Sequence, residues 1–431
     1  MKTQEELLTT QVIEFLNKNA LYALLRNFEG LPEKNLSKDI DIIIDRRDFK
    51  KIKKSIIELF LSFDYKIVTY YKSERMYTFI LSDKEFSFLQ FDFFFNTSLH
   101  GIIFLKSKDV LEKRLFNGKV FHVSKEFEFL DKYLYLKAVN QSYPSKYSDT
   151  LHSVLKNPKV LDETIQSVVG LKNFHELDNL SSQELRYKFV IKNLRSNFIS
   201  IVRNLFFEFS NIFRSQGISM SFTGPDGVGK TTVIDKLIER VSGNHAEVKL
   251  FHHRPTVIGN IGAVAKNIGV TESINDNYTD PHRGKKNNLF SSFLRLSYYS
   301  FDYIIGYWLR IKRTLYRRGF IIFDRYYSDI IADSRRSSIY INSKILYAWG
   351  KLFIPKIDYN FLVTAGSDII LSRKQELDKK GIEDINEKLH FLAQHKGYYL
   401  IKNEGTADEA LQKILMVVVE NQHRKNLKRA C

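Results

Sequence analysis

The sequence is short of several features that mark whole classes of proteins. It contains one cysteine, Cys431, which excludes a disulfide framework and a thiolate metal site and suits a reducing compartment. Runs of about 18 apolar residues are absent, so no membrane-spanning helix is expected. The first residues include acids with no long apolar segment behind them, so we expect no signal peptide. These absences together predict a cytoplasmic protein.

Concentrated charge is also lacking, although the net charge is +17. The basic residues are spread along the chain, and the short cluster from His423 to Arg429 is not a long arm. A positive charge of this size fits nucleic acid, an anionic membrane face or phosphorylated substrates, and it equally fits a generally basic proteome. Because no nucleic-acid-binding module is recognisable, we predict no nucleic-acid partner.

The length of 431 residues and the apolar content of 44% predict a globular protein of two or three domains. Residues 1–130 alternate helical and strand patterns, and residues 131–212 indicate mostly helix. Residues 213–431 alternate strands and helices, as an α/β domain with a parallel sheet does. The strands predicted in this last part are 217–223, 247–251, 319–324, 359–364 and 397–402.

One amphipathic helix stands out in the helical stretch. Ser181 and Glu184 match the capping-box pattern that starts a helix. Apolar residues follow at helical spacing, and we predict that they pack against their own domain while the basic face is solvated. A peripheral contact with an anionic membrane is the alternative. The apolar residues are Leu185, Phe189, Leu194, Phe198, Ile201 and Leu205.

The most specific pattern in the chain is a glycine loop that matches G-x-x-x-x-G-K-[ST] at every fixed position. A strand pattern precedes it and a helical pattern follows, so backbone N–H groups and a helix N-terminus point at an anion. We predict that the loop binds a nucleoside triphosphate, with Lys230 at its β and γ phosphates and the Thr231 hydroxyl on Mg²⁺. The loop consists of Gly224, Pro225, Asp226, Gly227, Val228, Gly229, Lys230, Thr231 and Thr232.

A second pattern closes the predicted strand at 319–324 with the pair Asp324 and Arg325. Ligands bind at this end of the strands in open α/β sheets. Asp324 is placed there to hold Mg²⁺ or to accept a hydrogen bond from an attacking group. Arg325 is placed to clamp a phosphate with two parallel hydrogen bonds.

Together, the glycine loop and the Asp-Arg-Tyr segment resemble the thymidylate kinase family of P-loop nucleoside monophosphate kinases, over roughly residues 217–420. The resemblance implies a P-loop NTPase fold, with a parallel sheet wrapped by helices. It also implies Mg²⁺-dependent transfer of the γ-phosphoryl group of ATP to a small phosphorylated acceptor. The resemblance further implies that Lys230 belongs to the phosphate loop and that Asp324 and Arg325 bind the metal and the acceptor phosphate. Asp226 falls where the family has an acidic residue near the transferred group.

Two segments match this family less closely. Arg254 stands where the family has an Arg-Glu-Pro-Gly acceptor loop, although the glutamate and the glycines are absent here. Arg373 and Lys374 open a basic segment that matches the family's mobile lid by position and charge. An ordinary solvated helix end is the alternative for that segment.

Further polar residues suggest an acceptor that differs from the family's usual one. Asp329, Asp333 and Arg335 follow Arg325 at helical spacing and are candidates for an acceptor pocket, or else a charge cluster within one helix. A basic loop from Asp280 to Lys286 has no place in the family pattern. The whole is similar to thymidylate kinase-like proteins of bacterial surface-polysaccharide gene clusters, so a sugar or polyol phosphate is an acceptor candidate beside dTMP.

The N-terminal part carries three acids on two predicted strands. Asp39 and Asp41 are two residues apart and therefore project from one face, and Asp92 lies within an apolar run. Three carboxylates on neighbouring strands can hold two Mg²⁺ ions for attack on a nucleotide α-phosphate. This pattern over roughly residues 10–110 resembles the nucleotidyltransferase fold, with these acids as the metal triad.

This N-terminal pattern departs from the nucleotidyltransferase family at one point. The family has Gly-Ser on a turn before the acidic strand, whereas this chain has Gly30 without the serine. Arg26 and Asn27 are candidates to replace that turn as the phosphate contact. The alternatives are an active transferase and a carbohydrate- or nucleotide-binding relic.

The sequence therefore predicts an α/β protein with a nucleotidyltransferase-like α+β domain, a helical connector and a P-loop kinase domain. We expect the ligands ATP, Mg²⁺ and a small phosphorylated acceptor, and a homodimer is an alternative to a monomer. Two other functions stay open: an enzyme that processes nucleic-acid ends, and a nucleotide-binding scaffold without catalysis. Their discriminating features are salt-dependent RNA binding and inactivity towards every acceptor.

Overall fold

Two large β-sheets, each covered by helices, organise the chain. The structure is a computed structural model that describes residues 3–37, 39–213, 216–242, 247–255 and 288–431. Its contacts divide the chain into two units, Met1–Phe213 with Val419–Cys431, and Arg214–Val418. The α/β class predicted from the sequence is confirmed. The basic loop 280–286 lies outside the described residues.

The first unit contains a mixed sheet and a separate hairpin. Its strands are β1 (Tyr22–Leu24), β2 (Asp39–Ile44), β3 (Lys66–Lys72), β4 (Met76–Ser82), β5 (Phe88–Phe94), β6 (Asn96–Leu99), β7 (Ile102–Lys106), β8 (Leu115–Phe116) and β9 (Phe121–His122). The sheet order is β3-β4-β5-β2-β1-β9-β8, and β6 pairs with β7. The neighbours β2 and β5 run parallel, whereas β1 with β2 and β4 with β5 are antiparallel.

Helices supply the rest of the first unit's two cores. They span Gln4–Asn19, Arg46–Ser62, Ser107–Glu112, Lys125–Ala138, Ser148–Leu155, Pro158–Val168, Phe174–Asn179, Ser182–Lys192 and Leu194–Phe213, with a 3₁₀ turn at Ser145–Tyr147. The first two helices pack phenylalanines onto the sheet; the Phe49 ring centroid lies 4.7 Å from that of Phe93. Fully burying one such side chain stabilises the fold by roughly 1.5–3 kcal/mol. Helices from Lys125 onward form the second core with β6 and β7.

The amphipathic helix predicted after Ser181 is interrupted in the structure. The capping box at Ser181 is confirmed, but the helix ends at Lys192 and a second helix begins at Leu194. The break follows from two asparagines that bind the backbone of Ile103 in β7. Asn193 Nδ2 donates to the Ile103 carbonyl at 3.2 Å, and Asn197 Oδ1 accepts from the Ile103 N–H at 2.9 Å.

The packing predicted for that helix is also only partly correct. Leu185 and Phe189 are buried as expected, both at 0% exposure. Leu194, Phe198 and Leu205 are instead exposed, at 64%, 71% and 59%. The second helix turns them away because Asn197 and its neighbours occupy the side that meets β7.

The second unit is built on a fully parallel sheet. Its strands are β10 (Ile218–Thr223), β11 (Val248–His252), β12 (Phe320–Asp324), β13 (Tyr359–Thr364) and β14 (Tyr398–Lys402). The five predicted strands are therefore confirmed to within about one residue at either end. The order is β11-β12-β10-β13-β14, with every neighbouring pair parallel. Connections leave β10 towards both edges, which makes its carboxyl end the switch point where ligands bind in such sheets.

Helices cover the second sheet. They span Lys230–Val241, Leu289–Gly306, Lys312–Tyr316, Tyr327–Ala332, Ser334–Ser337, Ser343–Phe353, Ser367–Arg373, Lys379–Ala393 and Ala407–Ala430, with a π-helical turn at Tyr307–Ile311. The last of these helices belongs to the first unit from Val419 onward. The helix after β10 buries Val233, Ile234 and Leu237, the apolar positions that its spacing predicts. Among the described helices, none is long and apolar enough to cross a membrane.

The helix break at Asn193 gives a stability prediction. We expect Asn197→Ala to lower the free energy of unfolding of the first unit by about 2 kcal/mol, because the Ile103 N–H would stay buried without its acceptor. Urea denaturation followed by far-UV circular dichroism measures this. Both tryptophans, Trp308 and Trp349, lie in the second unit, so their emission reports that unit separately.

A matched control lies on the same helix. Asn204 donates only a local hydrogen bond, to Glu208 one turn later, at 2.9 Å. Asn204→Ala should change the stability by less than about 0.5 kcal/mol. Equal losses in the two variants would show that the contact of Asn197 with β7 has no special role.

Candidate functional site

The glycine loop joins the end of β10 to the helix that starts at Lys230. Gly229 caps this helix with φ of 89°, in the left-handed region that favours glycine. Gly224 is required for another reason, because a Cβ atom there would lie 2.2 Å from the carbonyl oxygen of Val363. The loop is thus held tightly against β13, and it exposes Thr231 and Thr232 at the start of the helix.

Lys230 lies folded over its own loop. Its Nζ donates to the carbonyl oxygens of Gly224 and Pro225, at 2.8 and 2.9 Å, and the residue is 6% exposed. Burial, with a further contribution from the Arg325 charge, lowers the pKa of Lys230 to about 7. A negatively charged ligand at the loop would favour the charged form and raise this pKa again.

Asp226 in the loop is held by two arginines. Both Arg325 and Arg336 donate to its carboxylate, one to each oxygen. Burial alone would raise the pKa of Asp226, but the two guanidinium groups outweigh it, and the pKa lies below the ordinary value. The carboxylate is therefore ionised, and two guanidinium groups are gathered beside the loop.

Arg325 adopts a backbone conformation that is uncommon for its residue type. Its φ is 76°, in a region that costs a residue with a Cβ of order 1 kcal/mol or more. The backbone N–H donates to the carbonyl of Phe222 at 2.9 Å, and the side chain donates to Asp329 at 2.8 Å. Burial opposes the charge of Arg325, but Asp329 and Asp226 raise its pKa above the ordinary value. The strained backbone aims the guanidinium at the loop.

Asp324 ends β12 next to β10, opposite Phe222 in the strand register. One of its oxygens, Oδ1, is buried and has no hydrogen-bond partner among the described residues. The other oxygen lies 3.5 Å from Nδ1 of His252. The unpaired carboxylate oxygen and the exposed hydroxyl of Thr231 are oxygen donors, the kind that Mg²⁺ prefers.

A basic segment lies on the other side of the loop. Arg373 donates to the carbonyl of Asn403 at 3.1 Å, and Asn403 donates to that of Val228 at 2.7 Å. Lys374 also lies near, since a Cβ atom on Gly227 would be 2.9 Å from the Cβ of Lys374. Asn403 was not predicted from the sequence, although its place directly after β14 is a signal for a residue at the ligand edge of the sheet.

The candidates for an acceptor pocket lie on or between the two short helices that follow Arg325. Asp329 and Asp333, two of the acceptor-pocket candidates, are buried beside the two arginines that contact Asp226. The second of these arginines is Arg336, the neighbour of the candidate Arg335. Arg335 is exposed. The difference follows from helical geometry, because adjacent residues on a helix point about 100° apart.

Arg254 is paired with a carboxylate outside this cluster. It forms an ion pair at 2.8 Å with Asp302, which is fully buried, and its guanidinium lies 4.1 Å from the ring centroid of Tyr299. A buried pair of this kind is costly to break. The predicted role of Arg254 at an acceptor therefore requires it to leave a carboxylate that already neutralises it.

The three acids of the first unit also come together. Asp41 on β2 lies directly opposite Asp92 on the parallel neighbour β5, and Asp39 lies opposite Gln90. One carboxylate oxygen from each acid lies within 4.8 Å of the others. Burial, reinforced by the Asp41 charge, raises the pKa of Asp39. Three acids so close, two of them buried, form an arrangement that a divalent cation would stabilise.

Arg26 contacts this triad directly. Its Nε donates to Asp41 Oδ2, and one terminal nitrogen lies 3.8 Å from Asp131. The other oxygen of Asp41, Oδ1, is buried without a hydrogen-bond partner in the part of the chain that is described. Gln90 donates to Asp92 at 2.8 Å. The cluster thus combines acids that face each other with one guanidinium.

Comparisons with known proteins found a weak structural similarity. No protein-family model matches the chain, and no curated protein does. Among solved structures, the chain is similar to thymidylate kinase from Ehrlichia chaffeensis at 16% sequence identity, over 47% of this chain and 98% of that chain, with a TM-score of 0.33. A similarity this low carries no conclusion about function, so function rests on the strands and side chains described above.

Proposed function

We propose that the second unit is a P-loop phosphotransferase that moves the γ-phosphoryl group of ATP to a small phosphorylated acceptor, with Mg²⁺. In this reaction an acceptor oxygen forms a bond to the γ-phosphorus while the bond from that phosphorus to the bridging oxygen breaks, and ADP leaves. Such a transfer needs positioning and charge neutralisation rather than covalent help from the protein. A nucleoside monophosphate such as dTMP and a sugar or polyol phosphate are the candidate acceptors.

One observation carries this proposal. Lys230, Asp226, Asp324 and Arg325 come together at the carboxyl ends of β10 and β12, from two segments that lie about 95 residues apart in the sequence. A glycine loop alone binds many anions. A glycine loop with a lysine, a carboxylate that has a free oxygen and a clustered pair of arginines supports phosphoryl transfer.

Each residue has a proposed role in that reaction. Lys230 leaves the loop carbonyls to bind the β and γ phosphates, and the loop N–H groups hold the same phosphates. Arg325 and Arg336 neutralise the charge that gathers around the acceptor phosphate, with Asp226, Asp329 and Asp333 holding them in place until it binds.

The metal fits the residues present. Asp324, with its unpaired buried oxygen, and the exposed hydroxyl of Thr231 would hold Mg²⁺. When bound, Mg²⁺ supplies positive charge to the oxygens of the transferred group. Arg373 and Lys374 add positive charge on the opposite side of the loop, where they would cover the phosphates of ATP.

The acceptor is found by assaying ADP release from ATP and Mg²⁺. The panel holds dTMP, other nucleoside monophosphates, sugar and polyol phosphates, and RNA oligomers. We expect one small phosphate to stimulate ADP release, and Lys230→Met to lower that rate by about two to three orders of magnitude. Stimulation by RNA alone would favour nucleic-acid end processing. Inactivity with every acceptor would favour a nucleotide-binding scaffold.

Neighbouring arginines provide a matched test of the acceptor site. Arg336→Gln removes a guanidinium that contacts Asp226, and we expect kcat/KM for the acceptor to fall by about 10- to 100-fold. Arg335→Gln changes an exposed side chain next to it, and we expect less than about a twofold effect. Similar losses in both variants would argue against the role given to Arg336.

Lys230 makes ATP binding depend on pH. With its pKa lowered to about 7, roughly nine-tenths of Lys230 is neutral at pH 8, and bound phosphates favour the charged form. Binding of a non-hydrolysable ATP analogue should therefore take up close to one proton at pH 8 and little at pH 6. Calorimetry in two buffers of different ionisation enthalpy measures this uptake, which Lys230→Met should abolish.

The same pKa shift affects stability. The unfolded chain binds more protons at Lys230 than the folded chain between pH 7 and 10.5, so this group's contribution to stability rises with pH across that window. If proton uptake on analogue binding at pH 8 persists in Lys230→Met, another group, such as His253, is the one that titrates.

For the first unit we propose nucleotidyl transfer as a second function. The observation that favours it is the placement of Asp39, Asp41 and Asp92 on adjacent parallel strands, with carboxylate oxygens within 4.8 Å. This set would hold divalent cations beside a nucleotide, and the cations would polarise its α-phosphate. A nucleotide-binding site without turnover is the alternative for this unit.

The triad is tested through heat stability and product release. Mn²⁺ should raise the melting temperature of the first unit, and Asp92→Asn should abolish that rise because it removes one of the three facing carboxylates. Glu58→Gln, at a side chain that is 62% exposed on a surface helix, should leave it unchanged. Pyrophosphate release from nucleoside triphosphates, lost in Asp92→Asn, would identify an active transferase, and a melting shift without release would identify a binding site.

A further inference from the structure

Arg26 is positioned beside the acidic triad by the pairing of β1 with β2. The backbone N–H of Leu25 donates to the carbonyl of Asp41 at 2.9 Å, so the next residue leaves the sheet alongside that aspartate. Its guanidinium then donates to Asp41 and lies 3.8 Å from Asp131. Of the triad, Arg26 pairs with the acid that lies deepest, since the side chain of Asp41 is 1% exposed.

Several carboxylates lie near Arg26. It contacts Asp41 and lies 3.8 Å from Asp131, and Asp39 and Asp92 each have a carboxylate oxygen within 4.8 Å of one from Asp41. Burial opposes the charge of Arg26, but the aspartates raise its pKa above the ordinary value, so the side chain is a cation at every pH of interest. The mutual closeness of the three triad carboxylates leaves the cluster suited to a further cation.

A divalent cation and Arg26 would compete for Asp41. A metal held by the triad would use an oxygen of Asp41. The guanidinium already holds Oδ2, so both cations would share this one carboxylate even if the metal took Oδ1. Two cations in contact with one carboxylate repel each other. The side chain of Arg26 is 21% exposed, so it has a route away from Asp41 that does not require opening the core.

A guanidinium released from Asp41 has a second suitable partner. Its planar donors match the oxygens of a phosphate, with two parallel hydrogen bonds. Once divalent cations neutralise the triad, a nucleotide's phosphates bring negative charge to the same place. Arg26 therefore has a suitable partner in each state of the site. It pairs with a carboxylate when the triad holds no metal and with a phosphate when the triad holds divalent cations.

We propose that Arg26 is a switchable counter-ion of the first unit's site, which pairs with Asp41 when no divalent cation is bound and binds phosphate when cations occupy the triad. This rests on the metal and nucleotide site proposed above for that unit. A permanent structural pair is the competing explanation, in which Arg26 only orients Asp41. The two differ in sign, because a structural arginine would support metal binding, whereas a competing cation weakens it.

The test measures Mn²⁺ binding by the full chain, from the free Mn²⁺ signal in electron paramagnetic resonance. Each protein is compared with its own Asp92→Asn counterpart, so that the difference reports the triad alone. We expect Arg26→Gln to bind Mn²⁺ about tenfold more tightly than the natural chain, because a competing charge has been removed. With saturating Mn²⁺, the same variant should bind inorganic tripolyphosphate about tenfold more weakly.

Two further variants keep the test decisive. Arg26→Lys keeps the charge and loses the planar fork, so Mn²⁺ affinity should stay within about twofold while tripolyphosphate binding weakens. Lys125→Gln is the matched control, since Lys125 is a nearby cation that pairs with Glu29 and Glu128 rather than with the triad. It should change Mn²⁺ affinity by less than about twofold.

The outcomes separate this proposal from the one on which it rests. If Arg26→Gln folds but binds Mn²⁺ no more tightly than the natural chain, Arg26 does not compete with the metal. The proposed switch is then wrong, while the proposed metal site of the triad still stands. If the natural chain itself shows no Mn²⁺ binding that depends on Asp92, the site is wrong as well. If Arg26→Gln does not fold, Arg26→Lys decides: weaker tripolyphosphate binding at unchanged Mn²⁺ affinity supports the switch, and no change in either overturns it.

Discussion

The candidate site of the second unit depends on the parallel pairing of β10 with β12. This pairing sets Phe222 opposite Asp324, so the carboxylate leaves the sheet at the level where β10 passes into the glycine loop. The Arg325 N–H continues the pairing by donating to Phe222, and the strained turn that follows aims the guanidinium at Asp226. A shift of one residue in this register would send Asp324 to the other face of the sheet. The metal donor and the phosphate clamp would then be separated from the loop.

Both units hold arginines beside carboxylates that are largely buried. In the second unit, Asp226 is paired with two guanidinium groups, and in the first, Asp41 is paired with Arg26. Pairs that are largely removed from water contribute little net stability, because the cost of desolvating the charges offsets their attraction. Their role is to hold the guanidinium groups in position. A cation that is already desolvated and oriented by a carboxylate needs little rearrangement when an anionic ligand arrives.

Local sequence patterns predicted the elements of the second unit well, because its signals are local. Apolar runs between turn residues marked the five parallel strands, and the fixed glycine and lysine positions marked the loop at 224–230. The helix break at Asn193 could not be predicted in this way. It results from hydrogen bonds to Ile103, about 90 residues away, which no local pattern reveals. The exposure of Phe198 follows from the same distant contact.

The sequence by itself determined which chemical groups the sites contain: a glycine loop with Lys230, an Asp-Arg pair and three spaced aspartates. It did so because strand and helix periods fix which neighbours share a face. Only the tertiary structure decided how these groups are paired. Arg336 rather than Arg335 reaches Asp226, Arg254 is held by Asp302, and Arg26 rests on Asp41. Each of these pairs joins distant segments, and buried charges select their partners by three-dimensional proximity in a medium of low dielectric constant, a property that no local pattern encodes.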